Sequence, residues 1–538
     1  MKHATIVVLA CLFSLAACSA RSAETNDPSA IICGWIASPD GFNPLTSISS
    51  QSTMIEDEIF TPLVDIGADL LPAWKTSFAG AVLISEAGKR YTLKLRQHAR
   101  WSDGVPITAK DVVFSLNGYN NPQVIEGQSA RLKLMTSVRS LDNYTVSLTL
   151  SQPSPPFLTN ALGVVLVLPQ HVLDRYPHEP SKEAQFINTD GDFAQHPITS
   201  GPFKVRRNVP DAYTILEPNP HYWGVRPKLS QIAFRVYPQQ DSLYAAVDAG
   251  EIDVTDIPPN LWRVHERLKG RHRFINWPWN VVFVLLPNFA NREVSFLKDL
   301  NVRRAISYAI DRRAITGGIM NGQADALSGP VPVFSPYYNP KIIQYPYDPA
   351  RARRMLEADG WKMRGNVRYK DGKPLHFVLK NGGSTDAVAS NIVELIQANL
   401  KSVGIACELQ NEEINTFFED LHATKFEVAL RGRILPPYPD DYENYDSRQT
   451  RSQGGYNLGS YSNPTVDALI ERSRTAPSAR AGRDALAAYQ EAAARDLPAI
   501  FLYSNKLGAV VPENLRGYML IPTAPAALPM GLETWFKI

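Results

Sequence analysis

The chain has 538 residues, of which 44% are hydrophobic and 20% charged, and its 55 lysines and arginines nearly balance its 53 aspartates and glutamates. This composition is typical of a globular protein and excludes a disordered or fibrous chain. The charges are interspersed, without the basic tail or block that favours nucleic-acid binding, so we expect no nucleic-acid partner. Because one hydrophobic core stops growing at roughly 250–300 residues, we expect at least two lobes.

The first 18 residues have the pattern of an export signal. Residues 4–17 carry no charge, and as a helix they would span about 21 Å at ~1.5 Å per residue, less than the ~30 Å core of a bilayer. The small residues before Cys18 resemble the lipobox of bacterial lipoproteins, whose cysteine is lipidated after cleavage. We therefore predict a signal peptide at 1–18, lipidation of Cys18 and a polar tether at 19–28. An ordinary signal cut near Ala20 or Ala23 would instead give a soluble periplasmic protein.

Two further cysteines, Cys33 and Cys407, would remain in the mature chain. The segment at 31–36 is apolar on both faces and predicts a buried strand around Cys33. Cys407 alternates with Ile405 and Leu409, so it should also face a core. Because two separate core strands rarely bring their Cα atoms to about 4.4–6.8 Å, we predict two buried free thiols, although export makes a disulfide chemically possible.

Turn and cap signals predict the elements of the first half. Residues 91–95 alternate between faces after a turn at Ala87-Gly88, which predicts a strand. Thr108 lies three residues before Asp111 and ahead of the apolar residues 112–114. This spacing predicts a helix that begins with a capping box.

Three helices are predicted in the second half. Residues 302–315 are apolar at helical spacing, and Asn463-Pro464 opens another helix. Asp348-Pro349 opens a third that ends at Gly360, because the cap, the proline and the glycine each hold their preferred position. Strands and helices mix without strict alternation, so the predicted fold class is α/β, in the sense of mixed α+β.

Several sequence blocks, in order, resemble one family across nearly the whole mature chain. The blocks lie at 71–74, 91–96, 101–104, 108–115, 199–203, 219–224, 247–253, 301–312 and 461–467. They are similar to the signatures of the solute-binding proteins of peptide-type ABC importers, family 5, whose members bind dipeptides, oligopeptides or nickel. Each block alone is weakly specific, whereas their shared order identifies the chain as a member of this family.

The resemblance implies a two-lobed periplasmic-binding-protein fold of the large, peptide-binding type. Lobe one would be discontinuous, with residues 29–275, including an inserted subdomain at about 60–190, and a return at 505–538. Lobe two would occupy 276–504. The first crossing between the lobes would contain a turn at 276–278, followed by an apolar strand.

The resemblance also implies the function. An extended peptide can add as a strand to backbone groups of the cleft. The lobes would close on the bound peptide, and an ABC permease of the inner membrane would recognise the closed state. The expected protein is a periplasmic, lipid-anchored monomer, with no cofactor and no metal. A non-peptide ligand, namely an opine, a sugar phosphate, an oligosaccharide, nickel or haem, is the alternative.

Two loops and one tryptophan are the candidate ligand-binding positions. The loop after the first strand is similar to a family loop that borders the cleft, although its residues also suit a plain turn. A second loop keeps the family's proline and aspartate but has a tyrosine where many members carry an acid, and arginines precede it. The candidates are Pro39, Asp40, Gly41, Phe42, Trp279, Arg433, Tyr438, Asp440 and Asp441.

The alternative reading of each candidate is structural. Asp440 or Asp441 would hold the ammonium of a peptide, or else be a solvated carboxylate. Arg431 or Arg433 would face an anionic ligand, or else be a surface arginine, and Trp279 would stack on the ligand or pack at the hinge. The chain lacks the G-x-S-x-G, H-E-x-x-H, C-x-x-C and P-loop motifs, so we expect no enzyme.

Overall fold

The computed structural model describes residues 27–122, 129–173, 191–258, 270–383, 387–523 and 528–538. The predicted signal peptide, Cys18 and nearly all of the tether at 19–28 lie outside the described residues. One hydrophobic core is formed by side chains from 31–277 and again from 507–535, and a second by side chains from 282–503. A mixed α/β fold with two lobes and a discontinuous first lobe is therefore confirmed, whereas the predicted domain boundaries stay predictions.

The strands and helices are numbered in chain order. The strands are β1 Ala30–Trp35, β2 Ala79–Ser85, β3 Arg90–Leu95, β4 Met135–Asp142, β5 Thr145–Leu150, β6 Phe203–Val209, β7 Tyr213–Pro218, β8 Gln231–Val236, β9 Thr255–Asp256, β10 His272–Pro278, β11 Val281–Pro287, β12 Ala324–Ala326, β13 Lys362–Arg364, β14 Val367–Lys370, β15 Lys373–Pro374, β16 His376–Asn381, β17 Ala406–Asn411, β18 Val428–Ile434, β19 Ile500–Pro512, β20 Leu515–Arg516 and β21 Phe536–Lys537. The helices are α1 Ser50–Ile59, α2 Ala109–Asn120, α3 Ser129–Leu132, α4 Gln170–Leu173, α5 Gly191–Gln195, α6 Gln240–Asp248, α7 Leu300–Ala309, α8 Pro349–Ala358, α9 Ala387–Ser402, α10 Ile414–His422, α11 Tyr442–Tyr445, α12 Pro464–Thr475 and α13 Ala479–Asp496.

Two sheets form the framework of lobe one. One has the order β1-β8-β7-β6, and the other, built from the chain between residues 79 and 150, has the order β2-β3-β5-β4. Lobe two is built on the larger sheet β10-β19-β11-β18-β16-β17, to which β9 and β12 add beside β19. Among the residues that the structure describes, no helix combines the length and the apolar character that crossing a membrane requires.

Local cap signals predicted several elements correctly. Thr108 and Asp111 form the capping box at the start of α2, and Asp348 and Asn463 cap α8 and α12, each followed by a proline in the first turn. These caps satisfy backbone N–H groups that have no partner inside the helix. The predicted strands around Cys33 and at 91–95 are confirmed as β1 and β3.

The predicted helix at 302–315 is wrong in its second half. Helix α7 ends at Ala309, and Ile310 has an extended backbone. Asp311 follows and accepts hydrogen bonds from the N–H groups of Arg313 and Ala314, so it begins a new turn. A residue that caps a new turn competes with continuation of the preceding helix.

The lobes are joined by β10, β11 and β19. The first half of β19 pairs with β11, and its second half pairs with β10. The predicted turn at 276–278 is wrong, because Trp277 and Pro278 stay paired with Leu507 and Lys506. Pro278 is tolerated because it lies at the end of the strand. The turn therefore lies after it, between the end of β10 and the start of β11.

The two described cysteines are free. Cys33 is fully buried in β1, whereas Cys407 in β17 is half-buried and packs against the second core. The strands belong to different sheets. Burial raises the pKa of both thiols, to about 12 for Cys407.

Candidate functional site

A cavity of about 790 Å³ lies between the lobes. Lobe one contributes α1 and the segment that follows it, residues 154–166 and a part of the C-terminal return. Lobe two contributes residues 434–437, Asp440, residues 442–444 and Arg474. The volume lies within the roughly 300–1,000 Å³ of small-ligand sites, so the space between the lobes is the candidate site.

One side chain joins the two lobes at the cavity edge. The amide of Asn160, from lobe one, donates through Nδ2 to the carbonyl oxygen of Tyr438 at 2.8 Å, and the N–H of Tyr438 donates to its Oδ1 at 2.9 Å. Close packing lies nearby, because a Cβ added at Gly482 would lie 2.8 Å from Cγ of Pro155. These contacts hold the described lobes together at this edge.

Carboxylates are the most numerous charged groups that lobe one presents to the cavity. Glu56, Asp57 and Glu58 lie in the last turn of α1, where there is no basic residue. The C-terminus of a helix carries partial negative charge and disfavours acids. Asp65 and Glu533 line the same cavity. We call Asp57, Glu58, Asp65 and Glu533 the lobe-one wall.

The pKa values of the lobe-one wall are all raised. Burial, and next the charge of Asp65, raise the pKa of Asp57 to about 7. Burial and then the charge of Glu533 hold the pKa of Glu58 well above its usual range, and burial raises the pKa of Asp65 and Glu533. No lysine or arginine of the described chain forms an ion pair with these four carboxyl groups. A cation in the cavity would stabilise their charged forms.

Lobe two presents a different wall, which we define as Asp440, Tyr442 and Arg474. Nε of Arg474 donates to Oδ2 of Asp440 at 2.9 Å, and the guanidinium lies 3.9 Å from the ring centre of Tyr442. The second oxygen of Asp440 accepts from the N–H of Tyr442 at 3.0 Å. The predicted candidate Asp440 thus lines the cavity but already has a cationic partner.

The predicted first loop contacts α1 and not the cavity. Pro39, Asp40, Gly41 and Phe42 are absent from the described lining. Asp40 accepts from Ser52 Oγ at 2.6 Å and from the N–H groups of residues 48 and 49. Burial opposes its ionisation, but these hydrogen bonds keep its pKa below the usual value. The loop therefore anchors the start of α1, whereas Pro44, farther along, lines the cavity.

Arg433 and Asp441 form a buried ion pair inside lobe two. The hydroxyl of Tyr489 donates to Asp441 at 2.6 Å, and the Arg433 guanidinium lies 5.2 Å from the ring centre of Tyr445. Neither charge lines the cavity. Each predicted charge therefore has the other as its partner.

Tyr438 and Trp279 also lie off the described lining. The ring of Tyr438 is buried against Tyr337, and its hydroxyl donates to the carbonyl of Ser473 at 3.1 Å. Trp279 is half-buried and packs against the first core, with its backbone N–H donating to Asn505 O at 3.1 Å. The ligand-binding roles of the candidates stay predictions, and the structure brings only Asp440 to the cavity.

The carboxylates of α1 were not among the predicted site residues, although the sequence contains a signal for them. Three consecutive acids, Glu56, Asp57 and Glu58, stand between apolar residues in the last turn of a short helix. Acids are normally favoured in the first turn and disfavoured in the last. Acids in the last turn of the helix are therefore the feature that could have identified this segment as a candidate part of the site.

The described residues contain no cluster of three or more metal-ligating side chains, and no histidine among them lines the cavity. The cavity is lined by carboxylates, two arginines, hydroxyl and amide groups, and apolar side chains. The excess of carboxyl groups suits a ligand that carries positive charge.

Residues 73–456 match the family described as bacterial extracellular solute-binding proteins, family 5 middle. The chain is 27% identical over 551 residues to the oligopeptide-binding protein AppA of Bacillus subtilis (strain 168), which covers 100% of this chain and 98% of that protein. The structure of AppA from Bacillus subtilis in complex with a nonapeptide aligns with a TM-score of 0.73 at 26% identity, over 95% of this chain and 99% of that one.

A second solved structure shares the fold. It is NikZ from Campylobacter jejuni in complex with Ni(L-His), with a TM-score of 0.76 at 23% identity, over 95% of this chain and 100% of that one. One fold therefore accommodates both ligands, and the ligand class has to be argued from this chain's own cavity.

Proposed function

We infer the function from one premise that the comparisons establish: the chain belongs to the bacterial extracellular solute-binding proteins of family 5. We propose that it is the substrate-binding component of an ABC importer. It captures a dipeptide or oligopeptide between its lobes and delivers it to a permease of the inner membrane. Its role is binding and not catalysis.

The observation that carries this proposal is the excess of carboxyl groups over arginines in the cavity lining. Among the described residues, seven acids and two arginines line the cavity: Glu56, Asp57, Glu58, Asp65, Asp440, Glu443, Glu533, Arg131 and Arg474. An excess of carboxyl groups in a partly desolvated space favours a ligand with an ammonium or guanidinium group, because such a cation stabilises their charged forms. Every unblocked peptide carries an ammonium group at its N-terminus.

The same charges disfavour an opine or a sugar phosphate. Two arginines, Arg431 and Arg433, would have supported such a ligand, but neither lines the cavity, and Arg433 is paired with Asp441. An anionic ligand would have to approach the four carboxyl groups of the lobe-one wall, none of which forms an ion pair with a lysine or arginine of the described chain. We therefore rank a peptide above an anionic solute.

A thermal-unfolding screen tests the ligand class. Di- to pentapeptides, opines, sugar phosphates, oligosaccharides, haem and Ni²⁺ are each added to the purified chain. A ligand that binds only the folded state adds about 2.7 kcal/mol at a hundredfold excess over Kd, so at least one peptide should raise Tm by several degrees. If no peptide shifts Tm while an opine or a sugar phosphate does, the peptide proposal is wrong.

We also propose that the chain is a monomer of the periplasmic space, anchored by lipid on Cys18. Acyl chains contribute about 0.8 kcal/mol per buried CH₂, so several chains hold a protein on a membrane. Cys18→Ala should therefore release the protein or leave it unprocessed, whereas Cys33→Ala should stay anchored. A wild type that takes up no fatty-acid label would refute the anchor.

A further inference from the structure

Arg474 lies at the end of α12, where it forms part of the lobe-two wall. Its side chain is 26% exposed, and that of Asp440, its partner, is 20% exposed. Stacking on Tyr442 and the bond from Nε to Asp440 fix the plane of the guanidinium. A fixed, planar guanidinium binds a carboxylate with little loss of side-chain freedom.

The pair with Arg474 changes what Asp440 can do. One oxygen of Asp440 accepts from Arg474 and the other from the backbone of Tyr442. Its charge is already compensated, so a ligand ammonium would have to compete with the guanidinium. The family resemblance alone implied the opposite role, in which an aspartate of this loop holds the ammonium.

The nitrogens Nη1 and Nη2 of Arg474 remain for a ligand. Only Nε takes part in the hydrogen bonds that the described residues make with this side chain, and the residue lines the cavity. The two Nη atoms supply N–H donors in the fork geometry that matches a carboxylate. The carboxylates of the lobe-one wall lie in the same cavity.

We propose that Arg474 is a specificity-determining residue that binds a carboxylate of the peptide, so that the C-terminus of the ligand faces lobe two. This inference rests on the proposed function. Because Arg474 already pairs with Asp440, the ligand ammonium would lie near the other carboxyl groups of the cavity, whose charged forms it would stabilise. The ligand then lies in the direction opposite to the one that an ammonium anchor at Asp440 would impose.

The test compares three forms of one peptide on matched variants. Trialanine, and the tripeptide with the largest Tm shift in the screen, are used free, C-terminally amidated and N-terminally acetylated. Calorimetry gives Kd for wild type, Arg474→Gln and Asp440→Asn. The matched control is Arg472→Gln, because Arg472 is exposed on the same helix and does not line the cavity.

Amidation should weaken binding to wild type about tenfold, which corresponds to ~1.4 kcal/mol, because it removes a charge-assisted hydrogen bond. In Arg474→Gln the ratio of amidated to free Kd should fall to about twofold or less, while Arg472→Gln keeps the wild-type ratio. An unchanged ratio in Arg474→Gln overturns the assignment. If that variant fails to fold, Arg474→Lys replaces it and should lower the ratio part of the way.

N-terminal acetylation of the peptide distinguishes this proposal from the alternative in which Asp440 holds the ligand ammonium. Asp440→Asn should leave the acetylation penalty of wild type in place, since the ammonium lies elsewhere. If Asp440→Asn abolishes that penalty, Asp440 is the ammonium anchor and the proposal is wrong. If wild type binds no peptide at all, the proposed function fails and the Arg474 assignment falls with it, whereas peptide binding with unchanged ratios refutes Arg474 alone.

Discussion

The two walls of the cavity both carry acids, but only one wall supplies their counter-charges. In lobe two, Asp440 pairs with Arg474, and behind it Asp441 pairs with Arg433. In lobe one, Asp57 and Glu58 form no ion pair with a lysine or arginine of the described chain. An acid near a cleft is therefore a ligand anchor only when the protein itself leaves its charge uncompensated.

The two walls differ in how the protein offsets the free-energy cost of removing carboxylates from water. Moving a carboxylate out of water is unfavourable unless a cation or several donors replace the water. Lobe two provides that replacement within the protein for Asp440 and Asp441, which pair with Arg474 and Arg433. Lobe one leaves its acids with raised pKa values, so a cationic ligand can provide it instead. Three predictions test this contrast, from the largest expected effect to the smallest.

Arg433→Ala should produce the largest effect, a loss of about 3–5 kcal/mol in the free energy of unfolding, because it leaves the buried Asp441 without a partner. Urea unfolding measures the loss. The double variant Arg433→Met/Asp441→Leu is the control and should recover much of the stability, since it removes both charges. A large loss of ligand affinity with unchanged stability would instead make Arg433 a ligand-binding residue.

Asp57→Asn should change how stability depends on pH. The pKa of Asp57 is raised to about 7 in the folded protein, so its neutral form contributes stability that is present below about pH 4 and is lost as pH rises through 7. The variant should match wild type at pH 4 and exceed it by roughly 2 kcal/mol at pH 8, allowing for the partial exposure of the side chain.

Denaturant titrations between pH 4 and pH 8 check that prediction, with exposed Glu419→Gln as a control that should follow the wild-type curve. Parallel curves for wild type and Asp57→Asn across this range would show that the carboxyl group ionises as it does in water. The contrast between the two walls would then lose its electrostatic basis.

Asn160→Ala should have the smallest effect, a weakening of lobe closure by about 1–2 kcal/mol through loss of the two hydrogen bonds to Tyr438. Small-angle scattering of the ligand-free protein should report a larger radius of gyration. Tyr438→Phe is the matched control, because it removes the hydroxyl and leaves the backbone groups that Asn160 contacts. Equal radii for wild type and Asn160→Ala would mean that other contacts keep the lobes closed.

The helices and strands whose signals lie close together in the sequence were predictable. The capping box of Thr108 and the aspartate and proline before α8 act over three or four residues, so their signals lie next to each other in the chain. The end of α7 was missed because the competing turn at Asp311 begins inside an unbroken apolar pattern. The turn predicted at 276–278 failed because a distant strand, β19, holds this segment in register.

The candidate site was less predictable because its ion pairs depend on tertiary packing and leave no local signal in the sequence. Arg433 and Asp441 are separated by a loop, and nothing local indicates that they pair. Arg474, the partner of Asp440, lies 34 residues away. A sequence shows which side chains can ionise, but their partners depend on packing between elements that are far apart in the chain.

The sequence by itself determined the fold class and the family of this protein, because short motifs in a fixed order and the spacing of apolar residues and caps are local properties of the chain. Only the tertiary structure decided which charges face the cavity. Ion pairing and desolvation depend on distances between residues from different elements. Nothing in the sequence distinguishes these acids, whereas packing paired Asp440 and Asp441 with arginines of lobe two and left Asp57 and Glu58 of lobe one without an ion pair in the described part of the chain.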